Sequence, residues 1–204
     1  IPFAEETRLI IPIGYWVIRT ACSQLREWNK LGFTNISLSV NVSIIQLQHP
    51  GFAEAVSRIL SKTKIHPEYL ELEITESILL ESLDVIKNLN NLKKLGVKIT
   101  IDDFGTGYNS FKCIQELNVN NIKIDKAFIY NINDEVNKAI IDAIIKLGHD
   151  INIEVTAEGV ETEEQYDYLK KKRCDKIQGY YFSKPLLPEE ATMFFKCALK
   201  NEAI

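Results

Sequence analysis

Leu70-Glu71-Leu72-Glu73-Ile74-Thr75-Glu76, a helical stretch from about Ile78 to Leu95 closed by Gly96, and Val97-Lys98-Ile99-Thr100-Ile101-Asp102-Asp103-Phe104-Gly105-Thr106-Gly107 together read as one strand–helix–strand unit. In the first segment Leu70, Leu72 and Ile74 fall on one face and Glu71, Glu73 and Thr75 on the other, the period of a strand. A glycine just past the last periodic residue is a common helix stop. The second strand is a β-branched apolar run (Val97, Ile99, Ile101) that ends in two adjacent carboxylates and a loop freed by Gly105 and Gly107. Strands separated by a helix pair in parallel, because a tight hairpin can join only antiparallel neighbours.

The same unit recurs on both sides. Upstream, Asn35 to Ser43 alternates strictly, with Ile36, Leu38, Val40 and Val42 opposite Ser37, Ser39, Asn41 and Ser43. Before it, Ile10 to Trp28 carries apolar residues at helical spacing (Ile13, Trp16, Val17, Thr20, Leu25, Trp28), with Gly32 as the stop. A helix is predicted over Phe52–Leu60. Downstream the reading is a short helix near Ser110 to Glu116, a strand over Ile122–Asp125 and a helix over Asn137–Leu147 ending at Gly148. A strand over Ile151–Glu158, a helix over Thr162–Lys171, an extended stretch over Ile177–Phe182 and a helix over Pro188–Leu199 complete the chain. Six strands and about as many helices, with no linker or internal repeat, predict a single α/β domain over residues 1–204 built on a parallel sheet.

Composition narrows the function. The chain has 204 residues, 46% hydrophobic and 25% charged, enough for one sizeable core. A net charge of -4 argues against generic binding to DNA or RNA backbones, and Lys170-Lys171-Lys172-Arg173 reads as a solvated face. No apolar run approaches the roughly 20 residues that cross a bilayer, and no signal-peptide pattern is present. A cytoplasmic domain without membrane contact is expected, whether free or the cytoplasmic part of a membrane-anchored parent. Cys22, Cys113, Cys174 and Cys197 are scattered without metal-ligand spacing and read as reduced thiols; His49, His66 and His149 have no partner at such spacing.

The polar faces carry the chemistry. Asn41, Glu73, Asp102, Lys123, Glu158 and Gln178 each fall near the C-terminal end of a strand, opposite the apolar residues that pack under helices. In a (β/α) barrel that face points inward, and active sites lie at this rim. A bare DDxGxG is most simply a solvated acidic turn, and the whole set could be a structural ion-pair network. One lysine, however, cannot neutralise four carboxylates once Asp103 is counted. Two hard divalent cations, Mg²⁺ or Mn²⁺, about 3.5–4 Å apart would resolve the excess and serve phosphoester hydrolysis. Lys123 would then orient water or offset phosphoryl charge. A Schiff-base role for Lys123 fits less well, because surrounding carboxylates raise an amine pKa.

Assembled, Val40-Asn41-Val42-Ser43, Glu73-Ile74-Thr75-Glu76, Asp102-Asp103-Phe104-Gly105-Thr106-Gly107-Tyr108, Ile122-Lys123-Ile124-Asp125, Ala157-Glu158-Gly159-Val160-Glu161-Thr162 and Gln178-Gly179-Tyr180-Tyr181-Phe182-Ser183-Lys184-Pro185 resemble the EAL domain, a family of cyclic di-GMP phosphodiesterases. The resemblance covers essentially the whole chain. It implies a TIM-like (β/α) barrel and hydrolysis of cyclic di-GMP to linear pGpG with two Mg²⁺ or Mn²⁺ ions. It further implies that Asn41, Glu73 and Asp102 hold the first metal and that Asp102 and Asp103 hold the second. By the same likeness Lys123 contacts the attacking water, and Glu158 serves the metals or activates water. Gln178 stands near that centre, Glu161 behind it, and Glu76 anchors the loop Phe104 to Tyr108, which is implicated in dimer coupling.

Asn109, Phe111 and the pair Lys172-Arg173 depart from the family's usual residues. The family's Glu-Ala-Leu strand, with a metal-binding glutamate and a substrate-contacting arginine, would precede the stretch matching Ile1. The chain is therefore expected to be an N-terminally truncated domain, six strands of an eight-stranded barrel. By the resemblance it comes from a parent with a sensory or cyclase-like module and forms a homodimer. Weak or no hydrolysis is expected of these residues alone. A non-catalytic cyclic di-GMP receptor is the alternative reading.

Overall fold

A computed structural model describes residues 1–76, 82–106, 114, 117 and 119–201 of the chain. The strands are β1 (Leu38–Asn41), β2 (Leu70–Thr75), β3 (Lys98–Phe104), β4 (Asn121–Ile124), β5 (Glu154–Ala157) and β6 (Lys176–Ile177). They form one parallel sheet in the order β1-β2-β3-β4-β5-β6. Among the described residues the helices are α1 (Pro2–Glu6), α2 (Ile10–Lys30), α3 (Ile44–Gln48), α4 (Phe52–Thr63), α5 (Leu83–Leu95), α6 (Lys126–Tyr130), α7 (Glu135–Asp150), α8 (Glu163–Lys171) and α9 (Pro188–Asn201). The sheet curls into a half-barrel, with the helices outside it and the alternate polar residues inside. No described helix is long and apolar enough to cross a membrane.

The core lies between sheet and helices. Leu70, Leu72, Ile74, Ile99, Ile101, Ile122, Ile124 and Val155 are essentially inaccessible, as are Ile18, Leu25, Phe52, Val56, Leu89 and Leu92 from the helices that cover them. Each such side chain contributes about 1.5–3 kcal/mol on leaving water. The alternation in the sequence thus fixes which face of each strand meets the helices. Gly96 closes α5 with φ 95°, the left-handed stop its position predicts. Thr162 and Gln165 form a reciprocal capping box on α8.

Four local readings are corrected. The helix predicted from Ile78 is not continuous: Ser82 is extended and caps α5 through a hydrogen bond accepted from the Asp84 amide, while 78–81 lie outside the described residues, as does nearly all of the short helix predicted over 110–116. On α2 the buried face is Ile10, Gly14, Ile18, Cys22, Leu25 and Trp28, leaving Ile13, Trp16 and Thr20 exposed. Gly14 lets the helix axis approach α3, where Gln46 fills the space a Gly14 Cβ would need. Of the stretch predicted as extended over Ile177–Phe182 only Ile177 pairs in a strand, with Lys176 before it, and Tyr180–Phe182 form a turn.

Gly148 does not end its helix. Helix α7 runs on to Asp150, and Gly148 is the contact point with β5. A methyl group there would overlap the Val155 side chain and come within 2.9 Å of the Ile153 carbonyl oxygen. Gly148→Ala is expected to destabilise the domain by about 1–3 kcal/mol through overpacking, read by denaturant unfolding; an unchanged midpoint would contradict this close approach.

Candidate functional site

Strand register brings the polar side chains to one end of the sheet. Asn41, the last residue of β1, is paired in register with Glu73 of β2. On β3, Ile101 pairs with Ile122 and Phe104 with Ile124, so Asp102 and Asp103 together face the single residue Lys123. This is a β-bulge, and Asp103 takes φ 54° within it. Alternation would send two consecutive side chains to opposite faces. The bulge overrides it, and oxygens of Asp102, Asp103 and Glu158 come within 4.8 Å of one another.

Lys123 stands at the centre of these acids, 4% exposed. Its Nζ donates to Glu73 Oε2 at 2.8 Å, lies 3.3 Å from Asp102 Oδ1 and pairs with Glu158 Oε1. Burial alone would lower the Lys123 pKa, but the hydrogen bonds to Glu158 and Glu73 and the charges of Glu73 and Asp102 outweigh it and raise it above the ordinary lysine value. Glu158 responds oppositely: burial raises its carboxyl, assisted by Asp102 and Glu73 and only partly offset by Lys123. Asp103 is likewise raised, by burial first, then by a hydrogen bond with Asp125 and the charge of Asp102. One ammonium does not satisfy the four carboxylates. Hard oxygen donors under-compensated in this way fit a divalent cation, which Asp102, Asp103 and Glu158 could hold.

The remaining predicted residues divide. Gln178 lines a cavity of about 290 Å³ together with Glu73 and Lys123. Glu76, 4% exposed, accepts a 3.4 Å hydrogen bond from the Gly105 amide and so ties the end of β2 to the loop after β3. Glu161 accepts from the Tyr130 hydroxyl at 3.3 Å and, among the described residues, makes no hydrogen bond or ion pair with Lys123 or its carboxylates. Gly107 and Tyr108 lie outside the described residues.

A second polar tier below Lys123 escaped the sequence reading. Glu71, 3% exposed, accepts from the Thr100 hydroxyl and from Asn121 Nδ2 at 2.9 Å. Thr156 donates to Asn121 Oδ1 at 3.2 Å, and Lys176 approaches Glu71 at 3.8 Å. The signal was the same alternation two residues earlier on each strand; only the register between strands reveals that these groups satisfy one another. Asn121→Ala removes one of the two donors to Glu71 Oε1 and the hydrogen bonds to the Thr156 hydroxyl, and is expected to cost about 1–3 kcal/mol, checked by chemical denaturation. A loss below the error of that measurement would mean the tier is not coupled.

The EAL domain family profile matches residues 1–185. The signaling protein YkoW of Bacillus subtilis is 40% identical over 193 residues, 94% of this chain and 24% of that protein. The bifunctional diguanylate cyclase/cyclic di-GMP phosphodiesterase MucR of Pseudomonas aeruginosa is 38% identical over 192 residues, 93% of this chain and 28% of that protein. A solved structure of the PaMucR phosphodiesterase in complex with cyclic di-GMP superposes with a TM-score of 0.88 at 38% identity, covering 93% of this chain and 78% of that one. The chain spans about a quarter of the length of these curated relatives.

Proposed function

This chain belongs to the EAL domain family, and from that premise we propose that it binds cyclic di-GMP at the C-terminal ends of its strands and hydrolyses one phosphodiester bond to give linear pGpG. The observation that carries this reading is the Lys123 ammonium held among Glu73, Asp102 and Glu158, with Asp103 added by the bulge. Asn41, Glu73, Asp102, Asp103 and Glu158 would hold two Mg²⁺ or Mn²⁺ ions. When bound, such ions polarise the phosphoryl group and make water a competent nucleophile near neutral pH.

The chain's own residues supply the rest. Lys123 keeps its proton, so it can donate to the attacking water or to a phosphoryl oxygen that gains charge as the bond breaks. Glu158, beside it, accepts a proton from that water while the P–O bond to the leaving sugar oxygen opens and that oxygen takes a proton from solvent. Gln178 lines the same cavity as Glu73 and Lys123, and Glu76 ties the loop at Gly105. Carboxylates that raise the Lys123 pKa also disfavour Schiff-base chemistry, which needs the neutral amine.

In the same reading the domain acts in the cytoplasm as a homodimer, alongside a sensory or cyclase module. Full-length protein given cyclic di-GMP with Mn²⁺ or Mg²⁺ is expected to release the linear dinucleotide, resolved by chromatography. Chelation should stop release and added ion should restore it. Intact cyclic di-GMP after prolonged incubation would sink the hydrolase reading, and binding without turnover would make the domain a receptor.

A further inference from the structure

The outer helical layer holds a second concave site that shares no residue with the strand ends. Between α2 and α4 lies a cavity of about 410 Å³ whose lining includes Tyr15, Arg19, Ser23, Ala55, Arg58 and Lys62. The two helices run side by side in the same direction: Tyr15 stacks on Phe52 with ring centroids 5.8 Å apart, and Arg26 donates to the Thr63 carbonyl at 2.9 Å. Tyr15 closes one end of the notch and Thr63 the other. Ser23 and Ala55 are short and open the space between the helices, with buried Ile59 as part of the floor.

The rim is cationic. Arg58 and Lys62 stand one turn apart on one face of α4, and Arg19 lies across from them on α2. No carboxylate lines the notch. Some surface lysines are paired with acids on their own helices, as Lys30 is with Glu27, Lys138 with Glu135 and Lys146 with Asp150. Among the described residues, Arg19, Arg58 and Lys62 make no such pair. Glu54, an i,i+4 neighbour of Arg58, has its Oε2 3.7 Å from where a Gly51 Cβ would be; its charge reaches Tyr15 at the end of the notch, but it makes no ion pair with Arg58 among the described residues. Like charges at i,i+4 repel, so in a chain of net charge -4 this clustering is unfavourable until an anion joins it.

We propose that this notch binds a small anion of the diphosphate class, a pyrophosphate group free or on a nucleotide. Two linked phosphates, at roughly 1.5–2 negative charges each, are of the order needed to balance three cations. Guanidinium forks on both sides of the notch match phosphate oxygens. The volume exceeds what one phosphate fills and falls in the range of about 300–1,000 Å³ typical of small-ligand sites.

Inorganic pyrophosphate titrated calorimetrically into metal-depleted full-length protein at low salt tests this. Saturable binding at one site per chain is expected, weakened about tenfold or more by Arg58→Gln and by Arg19→Gln. Raising the salt should weaken it further. Arg58→Lys should lose less than Arg58→Gln, and Asp102→Asn should bind like the wild type. All the substituted notch positions are exposed, and circular dichroism verifies that the variants fold. No saturable binding would overturn the proposal, as would wild-type affinity in both glutamine variants. So would loss in Asp102→Asn with retention in Arg58→Gln, which moves the ligand to the strand ends. Tighter binding of a poly-glutamate peptide than of pyrophosphate would also overturn it.

Discussion

Lys123→Ala is expected to lower turnover of cyclic di-GMP by about a hundredfold or more, because it removes the preorganised donor at the centre of the site. It should also destabilise the domain. Glu73 is 6% exposed, and its carboxylate, with those of Asp102 and Glu158, would lose the only ammonium within ion-pair reach among the described residues. Removing one partner of a buried ionic cluster typically costs about 3–5 kcal/mol. The two effects separate experimentally. A divalent ion that binds the folded carboxylates stabilises them by mass action, so Mn²⁺ should raise the melting temperature of the variant without returning its turnover. Recovery of both would mean that Lys123 only balances charge, and near-normal turnover would remove it from the mechanism altogether.

Gly179→Ala carries the largest expected structural penalty. The glycine follows Gln178 and packs against the backbone of Val160, where an added Cβ would overlap the carbonyl oxygen and amide nitrogen and lie 2.6 Å from the carbonyl carbon. Backbone cannot turn aside as a side-chain tip can. The adjoining hydrogen bonds, Val160 N–H to Gln178 O at 3.1 Å and Tyr181 N–H to Val160 O at 2.9 Å, tie the segment after β5 to the segment after β6. Prying them apart is expected to cost at least about 3 kcal/mol and to displace Glu158 and Gln178 together. Thermal unfolding reads the first effect and cyclic di-GMP hydrolysis the second. A variant with wild-type melting and turnover would show that the contact relaxes freely.

Local periodicity was enough to place the strands, because the two-residue repeat of a strand is a property of one segment and needs no partner. It put Leu72, Ile101 and Ile122 under helices and Glu73, Asp102 and Lys123 on the opposite face, as the structure has them. Helix ends were less legible. Glycine marks a stop at Gly96, where it adopts left-handed backbone, and a close approach at Gly148, where it packs on β5; the letter is the same in both places. The buried side of α2 was misjudged for a related reason, since hydrophobicity ranks Trp16 above Gly14, while helix packing rewards the smaller residue.

What the sequence alone determined is the set of strands, their apolar and polar faces, and the polar residues at their C-terminal ends. Tertiary structure alone decided the bulge that turns Asp103 beside Asp102, the Glu71–Asn121–Thr156 tier beneath Lys123, the turning of Glu161 toward Tyr130 and the cationic notch between α2 and α4. Those features depend on register and distance between segments tens of residues apart. Such relations arise only when the sheet and its helices pack against one another.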